Sequence, residues 1–181
     1  MLKAGIVGAA GYAGAELVRI ILRHPEFELC VATSNSDEGT PLSSVYPAFT
    51  DVTNLTYSRH DNPELFNCDV VFLATPHTVA MKSAPGLLEA GVTVVDLSAD
   101  YRLRDRATYE QWYKVEHTSP ELLATATFGL PELNRQALAD AAARHAQGEA
   151  ILVACAGCYP TATSLAVAPV IELSQGIVVA D

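Results

Sequence analysis

Residues 3–26, KAGIVGAAGYAGAELVRIILRHPE, decide the fold. KAGIVG is a short apolar run that stops at Gly8, and from Tyr12 to Arg23 the residues Leu17, Ile20 and Ile21 recur at helical spacing until His24-Pro25 ends the pattern. The next run, FELCVAT at 27–33, sets Phe27, Leu29 and Val31 against Glu28, Cys30 and Ala32, the period of a strand. Strand, glycine turn, helix and strand together make a β-α-β unit of about 30 residues. Its turn carries Gly8, Gly11 and Gly14 in the spacing G-x-x-G-x-x-G, with Ala10, Tyr12 and Ala13 between them. Without side chains there, backbone amides can approach a pyrophosphate lying on the helix N-terminus. A tight turn that binds nothing is the plain alternative.

In such units an acid about 20 residues beyond the glycines bonds the ribose 2′-hydroxyl of NAD. Here that place reads Thr33, Ser34, Asn35, Ser36, groups able to donate to a 2′-phosphate, so NADP(H) is favoured over NAD, although Asp37 and Glu38 follow closely. Further along, DVVFLAT (69–75), VTVVDLS (92–98) and AILVA (150–154) read as continuous apolar strands of a parallel sheet covered on both faces. Helices are expected from Thr78 to Ala90, from Glu132 to Ala146 and from Ala162 to Leu173. Residues 34–67 read as an excursion in which only NLTYS (54–58) looks strand-like. Residues 99–129 read as a connection across an end of the sheet, with few periodic apolar positions apart from TATF. The expected class is α/β: a Rossmann-like, doubly wound, mostly parallel sheet. GIVVAD at 176–181 reads as a strand with which a further domain would begin.

Half of the 181 residues are hydrophobic and 18% are charged, enough to bury a sizeable core and too apolar for global disorder. A net charge of −10 argues against a nucleic-acid face, which needs clustered Lys and Arg. No apolar run reaches the roughly 18 residues of a membrane span, and no signal sequence opens the chain, so a cytoplasmic protein with reduced thiols is expected.

CAGCYPTAT, residues 155–163, holds a C-x-x-C pair at a strand end. A structural zinc site needs about four ligands, and the other cysteines, Cys30 and Cys68, have no paired spacing, so no metal is expected. A thioredoxin-like redox pair fits the local spacing, but such domains are smaller and lack a dinucleotide turn on their first strand. Plain packing stays open for either thiol. Position separates them: Cys155 continues an apolar strand, whereas Cys158 follows Gly157 at the positive end of a helix opened by Pro160-Thr161, where a thiolate is favoured. A dinucleotide turn together with an activated cysteine suggests acyl-thioester formation followed by reduction by a nicotinamide.

The chain resembles the N-acetyl-gamma-glutamyl-phosphate reductases within the semialdehyde dehydrogenase group. The likeness runs through GIVGAAGYAGAELVRIILRHPE from Gly5, GTPLSSVYP from Gly39, DVVFLATPH from Asp69, VVDLSADYRL from Val94, FGLPELNR from Phe128 and GCYPTA from Gly157. What the resemblance implies is NADPH-dependent reductive dephosphorylation of an acyl phosphate to a semialdehyde in arginine biosynthesis, with release of inorganic phosphate. By motif, Cys158 matches the family's nucleophile. Gly8, Ala10, Gly11, Tyr12, Ala13 and Gly14 match its pyrophosphate turn, Thr33, Ser34 and Ser36 its ribose-phosphate region, and Ala74, Thr75, Pro76 and His77 the strand end near the cofactor. Ser98 and Arg102 are pocket candidates for substrate, with a surface ion pair as the plain reading of Arg102. Two departures stand out: Ala156 replaces the family's usual proline, and Cys155 is not typical. None of His24, His60, His77, His117 or His145 matches the family's general base, which lies in a second α+β domain.

The resemblance therefore implies a dinucleotide-binding domain at 1–173 carrying the cysteine, the start of a second domain at 174–181, and a homo-oligomer for the whole enzyme. The alternatives are a related aspartyl- or aminoadipyl-phosphate enzyme and a non-catalytic NADP-binding module.

Overall fold

Alternation along the first strand sends Ile6 and Val7 to opposite sides, and each finds a different core. The computed structural model describes residues 1–173, and in them six parallel strands form one sheet. The strands are β1 (Leu2–Val7), β2 (Phe27–Thr33), β3 (Val70–Leu73), β4 (Thr93–Asp96), β5 (Thr127–Gly129) and β6 (Leu152–Cys155), in the order β2-β1-β3-β4-β6-β5. Helices are α1 (Tyr12–Ile21), the single turn α2 (Leu42–Val45), α3 (Ala80–Glu89), α4 (Arg106–Tyr113), α5 (Pro131–His145) and α6 (Cys158–Leu173). One face of the sheet packs Ile6, Ala32 and Val70 with Val18 and Ile21 of α1; the other packs Val7, Leu73, Val94 and Leu152 with Met81, Ala84 and Leu87 of α3. Burial on both sides is why these strands read as unbroken apolar runs.

Val7 is level with Thr33 and with Leu73, Leu73 with Asp96, and Asp96 with Ala154. The carboxyl ends of five strands thus share one rim. After β2 the chain crosses to β3 on the far side of β1, so a topological switch point lies between β1 and β3, where open α/β sheets bind ligands.

The expected helix α1 forms, but its buried face is Gly14, Ala15, Val18 and Ile21, while Ile20 is exposed. The small residues win this face because a Cβ at Gly14 would collide with the Gly8 carbonyl oxygen. The strand expected at 54–58 is not one: it makes only a parallel bridge, Thr33 to Ser58, and an antiparallel one, Pro41 to Thr56. The excursion around it is packed, supplying Leu42, Phe49 and Tyr57 to one core and Leu65 to the other.

Residues 99–129 need a larger correction, because they hold both α4 and β5. Helix α4 buries only Tyr109 fully and starts on Asp105, whose carboxylate accepts from the Thr108 amide at 2.7 Å. A mostly exposed helix leaves no apolar period to read. Strand β5 is three residues long and lies at the sheet edge beside β6.

Helix α3 begins two residues after the expected start because Thr78 sits at φ +74. Pro85 inside α3 has no N–H for the Met81 carbonyl, which instead accepts from the hydroxyls of Ser119 at 2.9 Å and Thr118 at 3.2 Å. Helix α6 begins at Cys158, four residues before the expected Ala162, since a proline in the first turn costs no intrahelical bond. The strand expected at 176–181, and the whole of 174–181 as a domain start, lie outside the described residues.

Candidate functional site

The glycine turn stands at the rim between β1 and α1. Gly8 has φ +86, and a Cβ there would strike the Ala74 carbonyl oxygen at the end of β3. Gly8 and Gly14 are therefore required by the protein's own packing. Gly11 is different: it is exposed, and a Cβ there would meet only the Gly8 oxygen at 3.5 Å. Gly11 is the N-cap of α1, and no side chain caps the helix. The first-turn amides of α1 are thus presented to whatever lies above Ala10, Gly11, Tyr12 and Ala13, the arrangement that binds phosphate. The Tyr46 hydroxyl donates to the Ala10 carbonyl at 2.8 Å and ties the turn to the excursion.

At the end of β2 the amides of Gly8 and Ala9 donate to the Thr33 carbonyl at 3.2 and 2.8 Å, so the turn and Thr33 are fixed together. The Thr33 hydroxyl lies 2.7 Å from His60 Nδ1. Ser34 and Ser36 stand side by side, their oxygens 3.1 Å apart, and each donates to Asp37 Oδ2 at 2.6 Å. These two bonds hold the Asp37 carboxyl below its ordinary pKa. Burial pushes the His60 imidazole pKa down, with the Arg59 charge acting the same way and Asp61 against it.

From β3 the rim continues through Ala74, Thr75, Pro76 and His77. Thr75 is 9% exposed, and its hydroxyl is buried with no hydrogen-bond partner among the described residues. His77 is exposed, with its ring 6.1 Å from that of Tyr113.

The SADYR segment after β4 forms a buried polar network. Asp96 accepts from the Ser98 amide at 2.8 Å and the Ser98 hydroxyl at 2.9 Å, and that hydroxyl in turn accepts from the Asp100 amide at 3.2 Å. Burial pushes the Asp96 carboxyl up to about 6, against the lowering effect of the Ser98 bonds. Asp100 accepts from the amides of Thr78 at 2.8 Å and Met81 at 3.0 Å and from the Tyr109 hydroxyl at 3.0 Å. It caps α3 from another segment and fixes the 74–78 rim. His117, 2% exposed, accepts at Nδ1 from the Ser119 amide at 3.2 Å, which assigns its proton to Nε2, donating to the Asp100 carbonyl at 2.9 Å.

Arg102 is neither free nor in a surface ion pair. Its Nε donates to the Cys155 carbonyl at 2.8 Å and one terminal nitrogen to the Leu97 carbonyl at 2.7 Å, bridging β4 to the end of β6. A Cβ at Gly157 would come within 2.7 Å of Arg102 Nη1, so Gly157 makes room for that guanidinium. One residue on, Cys158 starts α6 with an exposed side chain. Among the four free cysteines it is the exposed one; burial, with the Asp96 charge, pushes the Cys155 thiol up to about 11, and burial does the same for Cys68. Only Cys158 combines exposure with a place on the rim.

The structure thus brings the glycine turn, the β2 end and the β3 end to the switch point, with Ser98, Arg102 and Cys158 further along the same rim. Ser98 is 5% exposed, and its hydroxyl donates to Asp96 and accepts from the Asp100 amide. Asp100 and Tyr46 carry no signal in the sequence beyond standing inside quoted motifs. A dinucleotide fits the turn on two observations: the uncapped first turn of α1 at the exposed Gly11, and the Thr75 hydroxyl at the neighbouring strand end, buried with no partner among the described residues.

Residues 3–141 match the family model described as semialdehyde dehydrogenase, NAD binding domain. N-acetyl-gamma-glutamyl-phosphate reductase of Herminiimonas arsenicoxydans is 48% identical over 172 residues, which are 95% of this chain and 47% of that protein. The enzyme of the same name from Halorhodospira halophila is 47% identical over 184 residues, covering all of this chain and 51% of the relative. The chain spans about half the length of the curated relatives it matches. Among solved structures, aspartate semialdehyde dehydrogenase with NADP from Candida albicans superposes with a TM-score of 0.69 at 19% identity, covering 96% of this chain and 47% of that one. Aspartate semialdehyde dehydrogenase II of Vibrio cholerae gives 0.62 at 18%, over 95% and 47% of the two chains. At these identities the structural likeness carries the fold alone. With the family match spanning most of the chain, the protein belongs to the semialdehyde dehydrogenase family through its NAD-binding domain.

Proposed function

We propose that this chain is the cofactor-binding, cysteine-bearing half of an NADPH-dependent N-acetyl-gamma-glutamyl-phosphate reductase, with Cys158 as nucleophile. The carrying observation is the exposed thiol at the first residue of α6, on the rim that also holds the glycine turn. Residues 1–173 form the dinucleotide-binding domain and 174–181 lead into a second one. The relatives, about twice as long, support this reading.

Gly8, Ala10, Gly11, Tyr12, Ala13 and Gly14 hold the pyrophosphate on the α1 N-terminus. Thr33, Ser34 and Ser36 would receive the adenosine ribose and its 2′-phosphate, and Ala74, Thr75, Pro76 and His77 would border the cofactor at the next strand end, where the Thr75 hydroxyl has no partner among the described residues. The Cys158 thiolate attacks the γ-acyl carbon; the C–S bond forms, the C–O bond to phosphate breaks, and inorganic phosphate leaves as a thioester remains on Cys158. When bound, NADPH supplies the two electrons, as hydride, that take this thioester to the aldehyde level. Release of the semialdehyde breaks the C–S bond and leaves the Cys158 sulfur as thiolate. Arg102 stations its guanidinium beside Gly157, one residue from the nucleophile, within the substrate pocket that Ser98 supports from below.

Among the described residues no helix is long and apolar enough to cross a membrane. The enzyme is proposed to work in the cytoplasm as a homo-oligomer. Its test is the reverse reaction of the full-length protein: phosphate-dependent reduction of NADP with N-acetylglutamate semialdehyde. Cys158→Ser is expected to lower kcat by at least about a thousandfold, as loss of a nucleophile does, while Cys155→Ser stays within a few fold. Turnover that survives Cys158→Ser, or faster turnover with aspartate semialdehyde, would overturn the assignment.

A further inference from the structure

The sequence pattern Thr33-Ser34-Asn35-Ser36 suggests donors for a 2′-phosphate, but the structure shows where those donors point. The Ser34 and Ser36 hydroxyls each donate to Asp37 Oδ2 at 2.6 Å, and their oxygens lie 3.1 Å apart. A hydroxyl has one proton to give. With both protons on Asp37, the pair offers lone pairs outward, next to a carboxylate. A ribose 2′-hydroxyl can donate into that surface, whereas a 2′-phosphate, with acceptor oxygens and about −1.5 to −2 charges, cannot until the serines turn away from Asp37.

The surroundings offset little of this. Asn35 Oδ1 accepts from the His60 amide at 2.9 Å, which fixes the side chain and leaves Nδ2 as its donor. The nearby Arg59 is held by Asp61 at 3.3 Å and Glu38 at 3.8 Å. His60, facing Thr33, is biased to its neutral form by burial. Asp37 itself is set in a turn, its carbonyl accepting from the Thr40 amide at 2.9 Å, so the carboxylate is anchored at its backbone.

We propose that Asp37 is the residue that sets cofactor choice: by taking both serine protons it narrows the margin for NADPH and lets the site accept NADH as well. This rests on the cofactor site proposed above. NADPH binds by turning the serine hydroxyls outward and breaking the Asp37 bonds; NADH binds without that change. Removing the carboxylate frees both donors and removes a repulsion across a few ångströms of hydrated space, an effect of about tenfold in affinity.

The test is a fluorescence titration of the 181-residue chain, as wild type, Asp37→Asn and Asp37→Ala, with NADPH and separately with NADH. Far-UV circular dichroism checks that each variant is folded; Asp37 is partly exposed, and the two substitutions give two chances of an intact chain. The expected result is that wild type binds both cofactors and that the variants raise the NADPH-to-NADH affinity ratio by about tenfold, with NADH no tighter than before. A ratio within twofold of wild type in folded variants that bind both cofactors, or a shift toward NADH, would overturn the role of Asp37 and leave the cofactor site standing. Failure of wild type and both variants to bind either cofactor would sink the cofactor site, and this inference with it.

Discussion

Asp96 carries a carboxyl at 0% exposure that, among the described residues, is bonded by Ser98 alone, and its pKa rises from 3.8 to about 6 because burial outweighs those bonds. The sign follows from proton counting. Between pH 3.8 and about 6 the folded chain holds a proton on Asp96 that the unfolded chain has lost, so this residue's contribution falls as pH rises through that window. The full effect is about 3 kcal/mol as an upper figure. Compared with Asp96→Asn, which cannot ionise, wild type is expected to lose about 2 kcal/mol of stability between pH 4 and pH 7 in paired urea unfolding curves. A difference between the two proteins that stays constant with pH would contradict the account. None of this is visible in the letters VVDLSADYR, where Asp96 looks like the polar end of a strand and Asp100 like an ordinary loop acid. The placement of Cys158 at a helix start and of the three glycines between β1 and α1 is legible at this scale because it follows from neighbours in sequence, whereas Asp100 and Arg102 are bound by partners far along the chain and Asp96 is buried between two neighbouring strands.

Helix α3 shows how one element is held by segments distant in sequence. Its amino end is capped by Asp100, and the carbonyl freed by Pro85 is satisfied by Ser119 and Thr118. Asp100→Ala leaves the Thr78 and Met81 amides and the buried Tyr109 hydroxyl without their acceptor, and releases Thr78 from a backbone angle that β-branched residues disfavour. The expected cost is about 3 kcal/mol, read from chemical denaturation, with a weaker hold on NADPH because the 74–78 rim loosens. An Asp100→Ala protein within about 0.5 kcal/mol of wild type would show that the cap is dispensable. Elements with an unbroken apolar run or a clear period, β1 through β4, β6, α1 and α5, could be read from the sequence to within a few residues. Helix α4 could not, since its polar, exposed surface has no period, and β5 could not, since three residues at an edge carry too little pattern.

Across the molecule, the sheet order places β1 and β3 side by side with their connections leaving in opposite directions, and the strand ends form the rim on which turn, hydroxyl cluster and cysteine stand. The class of fold followed from the order of apolar runs and turns, which recur along the chain as parallel α/β grammar. What the order could not convey is side-chain traffic across the rim, above all the capture of the Ser34 and Ser36 protons by Asp37. The central claim is that the glycine turn is a working dinucleotide site, and Gly11 offers the most direct test of it. A side chain at Gly11 has room in the fold, and Asp is a favourable N-cap, so Gly11→Asp should be at least as stable as wild type while placing a carboxylate where the pyrophosphate would lie. The measurement is a titration of NADPH fluorescence against the 181-residue chain in both forms. Saturable binding by wild type, lost in an equally stable Gly11→Asp protein, is the predicted result; no binding by wild type, or binding that Gly11→Asp leaves intact, would contradict the account.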